Sequence, residues 1–254
     1  MSGWLTVVGL GPGTEDWLTP EARRDLEEAT DIVGYGPYVD RVPPGPQIRH
    51  ASDHRVELDR ARHALTLAAE GRRVAVVSGG DPGVFAMAAA VFVALDDPAT
   101  PQSWHAVPLR VDPGISAMQA AAARAGAPLG HDFCAISLSD NLKPWEVVLR
   151  RLRLAAEADF VIALYNPISR ARPWQLGAAF DALREVRAPD TPVILGQAIG
   201  RPDEKLIVTR LGTVESAQAD MRTVVIIGAS HTRLIPRDDA QPWVYTPRSY
   251  GTRA

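Results

Sequence analysis

Arg73-Val74-Ala75-Val76-Val77-Ser78-Gly79-Gly80-Asp81-Pro82-Gly83, followed by the Ala-rich run from Val84 to Leu95, reads as a buried strand, a turn and a buried helix. A strand that runs straight into a helix through a glycine-rich turn is the unit of an α/β sheet. The turn lies at the strand's carboxyl end, where open sheets of this kind bind ligands. Gly79 and Gly80 remove side chains, so a ligand can approach the backbone, and Asp81 supplies a fixed carboxylate for ribose hydroxyls or an ammonium. A tight turn in which Asp81 caps the helix accounts for the same residues equally well.

Working outward, the same alternation repeats. Trp4 to Leu10 is a short strand that enters Gly9-Leu10-Gly11-Pro12-Gly13. Thr19-Pro20-Glu21 then opens a helix to about Ala29 with an N-cap, a first-turn proline and an early acidic residue. Asp31 to Gly34 is a strand, Asp53 to Glu70 a helix stopped at Gly71, and Val107 to Val111 a weaker strand interrupted by Pro108. It is followed by Asp112-Pro113-Gly114 and a helix from Ile115 to Ala125. After the turn-rich Gly126 to Asp132 the pattern restarts. Strands are predicted at Phe133–Leu138, Phe160–Leu164, Pro192–Leu195, Lys205–Leu211 and Thr223–Ile227, and helices at Pro144–Ala156 and Pro173–Arg187. The reading is therefore two α/β domains with a ligand cleft between them, residues 1–128 and 129–254, the first built on a mainly parallel sheet. The polar tail from Pro236 to Ala254 reads as irregular.

With 46% hydrophobic and 22% charged residues, the 254-residue chain has the composition of an ordinary folded protein. A net charge of −3 argues against nucleic-acid binding through a broad basic field. The sole cysteine, Cys134, has no internal disulfide partner, which fits a reducing compartment. With neither a membrane-spanning apolar run nor a leader-like N-terminus, the expectation is a cytoplasmic protein without a membrane partner.

Pro113-Gly114-Ile115-Ser116-Ala117, Tyr165-Asn166-Pro167 and Val225-Ile226-Ile227-Gly228-Ala229-Ser230 are further strand-end turns, and four such turns meeting would wall a pocket. The N-terminal Gly9-Leu10-Gly11-Pro12-Gly13 departs from the dinucleotide spacing G-x-G-x-x-G, and no acidic residue closes the next strand, so a nicotinamide site is a weak alternative. Arg170 and Arg172 suit substrate carboxylates through bidentate contacts, although a lone arginine is more often a solvated charge. Among the six histidines only His50 and His54 are closely spaced, and no metal site is expected. Neither a P-loop nor a G-x-S-x-G elbow is present.

These stretches resemble the class III, or tetrapyrrole, S-adenosylmethionine-dependent methyltransferases of cobalamin biosynthesis over nearly the whole chain. Val8 to Gly13, Ser78 to Gly83 and Pro113 to Ala117 carry the resemblance to the superfamily. Gly34-Tyr35-Gly36-Pro37-Tyr38-Val39-Asp40, Leu138 to Glu146 and Leu164 to Ser169 look like the branch that methylates a precorrin and contracts its ring. The resemblance implies S-adenosylmethionine as methyl donor, S-adenosylhomocysteine as product, a tetrapyrrole substrate and a homodimer. Carried over by motif, Gly79, Gly80, Asp81, Val84, Ser116, Ala117, Tyr165, Asn166, Gly228 and Ala229 would contact the donor, with Ile199 and Gly200 in a loosely aligned loop. Gly11, Pro12 and Gly13 would lie beneath the macrocycle. Tyr35, Tyr38, Asp40, Ser139, Asp140 and Lys143 carry groups suited to the proton transfers of contraction, and the sequence does not rank them. The alternatives are the anaerobic counterpart acting on a cobalt-bound substrate, another precorrin methyltransferase, a diphthamide-type enzyme, and a non-catalytic donor-binding module.

Overall fold

A computed structural model describes residues 3–53, 56–169, 171–238 and 240–250, and divides the chain into two compact units, Met1–Ser116 and Ala117–Ala254. The division falls earlier than the sequence expectation of 128/129. The helix Ala117–Ala125, read as the last element of the first domain, packs instead on the second unit's sheet.

In the first unit, β1 (Trp4–Gly9), α1 (Pro20–Glu28), β2 (Asp31–Tyr35), α2 (Gly36–Val39), β3 (Ile48–Ser52), α3 (Glu57–Ala69), β4 (Arg73–Ser78), α4 (Met87–Asp96), α5 (Gln102–His105) and β5 (Leu109–Asp112) follow one another. The sheet order is β3-β2-β4-β1-β5 and every pair is parallel, so all five carboxyl ends share one edge. Both faces are covered, which is why Val7-Val8 and Val74 to Val77 are unbroken apolar runs. Val8, Ile32, Ala75 and Val77 pack with Ala22 and Leu26 of α1; Leu5, Val7, Val74 and Val76 pack with Leu65 of α3 and Val91 of α4. The loops leaving the neighbouring strands β1 and β4 thus lead to opposite faces, the arrangement that opens a crevice at the carboxyl edge. α1 starts as expected: the Thr19 hydroxyl accepts the Ala22 N–H at 3.1 Å and Pro20 stands at the first helical position. α4 begins at Met87 rather than Val84, because Phe85 adopts a left-handed φ of 53° that no helix continues through.

The second unit holds α6 (Ala117–Ala125), β6 (Gly126–Ala127), β7 (Phe133–Ser137), α7 (Trp145–Glu157), β8 (Val161–Tyr165), α8 (Gln175–Arg184), β9 (Pro192–Gln197), β10 (Lys205–Arg210), β11 (Thr223–Ile227), β12 (Arg233–Ile235) and β13 (Trp243–Tyr245). Its main sheet, β10-β9-β11-β8-β7, is mixed: β7 and β8 are parallel, while β11 runs against both β8 and β9. α7 and α8 cover one face through Val148, Leu152, Phe180 and Leu183. α6 packs near the other face, where a Cβ on Gly196 would meet Ala121 Cβ at 2.6 Å, so this approach depends on the missing side chain. Within the tail expected to be irregular, Trp243–Tyr245 forms β13, which pairs antiparallel with β12 just before the tail and parallel with the short β6.

Candidate active site

At the first unit's carboxyl edge, three turns interlock through their backbones. Gly11 and Gly80 exchange hydrogen bonds of 3.1 and 2.9 Å, and both adopt positive φ, 63° and 70°. A Cβ on Gly9 would lie 2.8 Å from the Gly114 nitrogen, and one on Gly114 would overlap the Gly80 carbonyl oxygen. A Cβ on Gly79 would meet the Tyr38 ring at 2.7 Å. Gly9 and Gly114 are therefore required by the fit of the turns to one another, and Gly79 by the ring of Tyr38. Asp81 binds the same assembly: Oδ1 accepts the Gly83 N–H at 2.8 Å and Oδ2 the Gly114 N–H at 3.1 Å. The carboxylate thus links the turn after β4 to the turn after β5, with lone pairs left for a further donor.

Two arginines that sequence reasoning passed over hold this edge. Arg41 Nη2 donates to the carbonyls of Leu10, Gly11 and Gly13 at 2.9–3.0 Å, fixing the loop that contains Pro12. Arg60 is buried in α3, donates to Ser52 Oγ at 2.8 Å and the Asp53 carbonyl at 2.7 Å, and has its pKa lowered by that burial. Tyr35 and Tyr38 meet edge to face at 5.5 Å. Asp40 is exposed on the following turn. Asp112, at the end of β5, is 2% exposed and its Oδ2 has no hydrogen-bond partner. Burial, with the nearby charges of Asp25 and Glu21, pushes its pKa up to about 6.

At the second unit's edge the carboxyl ends of β7, β8 and β9 lie together. Asn166 adopts a φ of 51° and donates to Ser137 Oγ at 2.9 Å, an oxygen that also accepts the Ser139 N–H at 3.3 Å. Tyr165 Oη accepts the Met118 N–H at 3.1 Å, tying the start of α6, next to Ala117, to β8. Asp140 accepts Gln175 Nε2 at 3.3 Å and stands 4.0 Å from Arg172 Nε. Arg172 Nε and Nη1 and Gln175 Oε1 are buried without hydrogen-bond partners, a set of donors and an acceptor suited to a carboxylate or water. Lys143 donates to the Ser139 carbonyl at 3.2 Å; burial, reinforced by Arg151 and opposed by Asp140, lowers its pKa. Ala198, just past β9, has a φ of 49°, so β8 and β9 each end in a strained non-glycine residue. Arg170 and His54 lie outside the described residues.

Gly228 and Ala229 do not join this group. Because β11 is antiparallel to β8, with Ile227 opposite Ile162, its carboxyl end lies at the opposite edge, a strand's length of roughly 15 Å from Asn166. There the Gly228 N–H bonds the Pro192 carbonyl at 2.8 Å and the Ala229 N–H bonds Thr232 Oγ1 at 2.8 Å. A cavity of about 320 Å³ opens at this edge, but its Arg187, Asp159 and Ser230 are already bonded to one another. The expectation that Gly228 and Ala229 converge with Asn166 is corrected by strand direction.

Residues 4–215 match the family model described as Tetrapyrrole (Corrin/Porphyrin) Methylases. The chain is 61% identical to a precorrin-3B C(17)-methyltransferase of Sinorhizobium sp, over 98% of both chains. It is 39% identical to a probable cobalt-factor III C(17)-methyltransferase of Salmonella typhimurium, over 97% of this chain and 99% of that one. The crystal structure of the methyltransferase CobJ superposes with a TM-score of 0.91 at 54% identity, covering 97% of this chain and all of that one. Among the described residues no helix is long and apolar enough to cross a membrane. The parallel first sheet, the mixed second sheet and the family match over most of the length agree, and the chain belongs to the tetrapyrrole methylases.

Proposed function

We propose that the chain methylates C17 of precorrin-3B with S-adenosylmethionine and contracts the macrocycle to precorrin-4, releasing S-adenosylhomocysteine, as a cytoplasmic homodimer. The observation that carries this reading over the cobalt-dependent one is 61% identity across 98% of both chains with the precorrin-3B relative, against 39% with the cobalt-factor III relative.

The sulfonium supplies an activated methyl group, so the chain's task is to position it against a nucleophilic carbon and exclude water. In the first unit the donor contacts proposed are Gly79, Gly80, Asp81, Val84 and Ser116. Their support is the rigid turn assembly and the lone pairs left on Asp81. In the second unit they are Ala117, Tyr165 and Asn166, at one strand-end edge; Gly228 and Ala229 are not carried forward. Gly11, Pro12 and Gly13 serve the macrocycle, with Arg41 keeping their loop rigid. Arg172 takes a peripheral carboxylate of the substrate, which its two buried donors without hydrogen bonds support, Nε standing 4.0 Å from Asp140. For contraction, Asp140 removes a hydroxyl proton and Lys143, its pKa lowered by burial, returns one.

The test is product analysis. With precorrin-3B and S-adenosylmethionine, mass spectrometry is expected to show a methylated, ring-contracted product and one S-adenosylhomocysteine per turnover. Turnover with cobalt-factor III alone would transfer the assignment to the anaerobic reaction. Binding of S-adenosylhomocysteine without turnover on either substrate would overturn the enzymatic reading.

A further inference from the structure

Asp31, the first residue of β2, is a fully buried carboxylate serving three partners. Oδ2 accepts Arg72 Nε at 2.6 Å and Thr30 Oγ1 at 2.7 Å, and Oδ1 faces His50 Nε2 at 2.8 Å. Burial raises its pKa, but the bonds from Arg72, Thr30 and His50 outweigh that, and the net shift is downward. With Asp31 Oδ1 the acceptor at 2.8 Å and Arg72 paired to the same carboxylate, a neutral His50 holds its proton on Nε2. This leaves the Nδ1 lone pair pointing the other way. There it meets His63 Nε2 of α3 at 3.1 Å, with ring centroids 4.9 Å apart and planes at 63°.

Two imidazole nitrogens face one another across a gap that holds one proton. A cation bound tetrahedrally at 2.0–2.1 Å from each requires a separation of about 3.3 Å, so small ring rotations convert the hydrogen bond into a chelate. The displaced proton moves to Nδ1 of His63, and no change in total protonation is needed. The carboxylate on the remote nitrogen of His50 is the outer partner that metal-bound histidines ordinarily have, and it is already in place. β3 is the edge strand and His63 is exposed, so water can fill the remaining positions. Among the described residues no group of three or more His, Cys, Asp or Glu is placed to hold a metal, and those residues supply two ligands here. We propose that His50 and His63 form a two-imidazole site for a divalent cation of the copper or zinc type, oriented by Asp31 and independent of methyl transfer. Nitrogen donors select these ions over magnesium and calcium, which take oxygen ligands.

Titration of the full chain with Cu²⁺ by calorimetry, paired with electron paramagnetic resonance, tests this. The expected result is one Cu²⁺ per chain with hyperfine coupling from two imidazole nitrogens. His63→Ala, an exposed change that leaves the fold intact, and His50→Gln should each weaken binding by about tenfold or more. His105→Ala, on the unrelated α5, should leave it unchanged. Wild-type protein without one-to-one binding, His63→Ala binding as tightly as wild type, or His105→Ala weakening it equally would overturn the proposal.

Discussion

The two strand-end edges are held by different kinds of atoms. In the first unit Gly9, Gly80 and Gly114 lock three parallel-strand turns together through backbone contacts, with the Asp81 carboxylate as a cross-tie. In the second unit the corresponding edge is assembled from side chains: Ser137, Asn166, Tyr165, Asp140, Gln175 and Arg172. Several polar atoms there remain unpartnered. A backbone-built edge presents one fixed surface and leaves no room for an added carbon at Gly9 or Gly114. A side-chain edge leaves unused hydrogen-bonding groups that a charged substrate can satisfy. The first edge is thus set by chain path and the second by side-chain identity, so substitutions act on the two in different ways.

Gly114 is the position where an added carbon should do most damage to the first edge. Gly114→Ala is expected to cost about 3 kcal/mol or more, since the added Cβ overlaps the Gly80 carbonyl and the neighbouring atoms are backbone that cannot turn aside. Urea unfolding measures this. A loss under about 1 kcal/mol would show that the turns are loosely fitted and that the rigid-edge account is wrong.

Asp112 is a buried carboxyl at the same edge of the first unit. Its folded pKa of about 6 lies above the ordinary 3.8 because burial, Asp25 and Glu21 all disfavour its charge. The native state therefore binds this proton more tightly than the unfolded chain. The resulting stability is present below about pH 4 and is lost as the pH rises through about 6. A shift of this size corresponds to roughly 3 kcal/mol. Asp112→Asn should accordingly be more stable than wild type by about 2–3 kcal/mol at pH 7.5, with the gap closing at pH 4.5. Chemical denaturation at the two pH values decides it; a gap independent of pH would remove the burial argument.

Much of the first unit was legible because its strands are buried on both faces and punctuated by glycine and proline, as at Val74 to Gly83. The capped start at Thr19-Pro20 was legible for the same kind of local reason. Strand direction was not. Thr223 to Ile227 reads as a strand either way round, and only its pairing with β8 and β9 reveals that Gly228 leaves at the opposite edge. The helix start was misplaced because Val84-Phe85-Ala86 is apolar, and the left-handed turn at Phe85 leaves no mark in composition. Arg41, Arg60 and Gln175 were missed because an isolated polar residue carries no sign of the carbonyls or carboxylate it will meet. Trp243-Val244-Tyr245 did carry a readable strand signal, hidden by the polar residues around it.

The proposal that Asn166, at the end of β8, contacts the donor while Ala229, past the end of β11, does not is tested most directly by S-adenosylhomocysteine calorimetry on two variants beside wild type. Asn166→Gly keeps the left-handed backbone comfortable while removing the side chain, and Ala229→Gly removes the one side-chain carbon at the opposite edge. Wild type should bind, Asn166→Gly should bind about tenfold more weakly, as the loss of one hydrogen bond of roughly 1.4 kcal/mol requires, and Ala229→Gly should match wild type. Equal weakening by both variants, or no binding by wild type, would contradict the account.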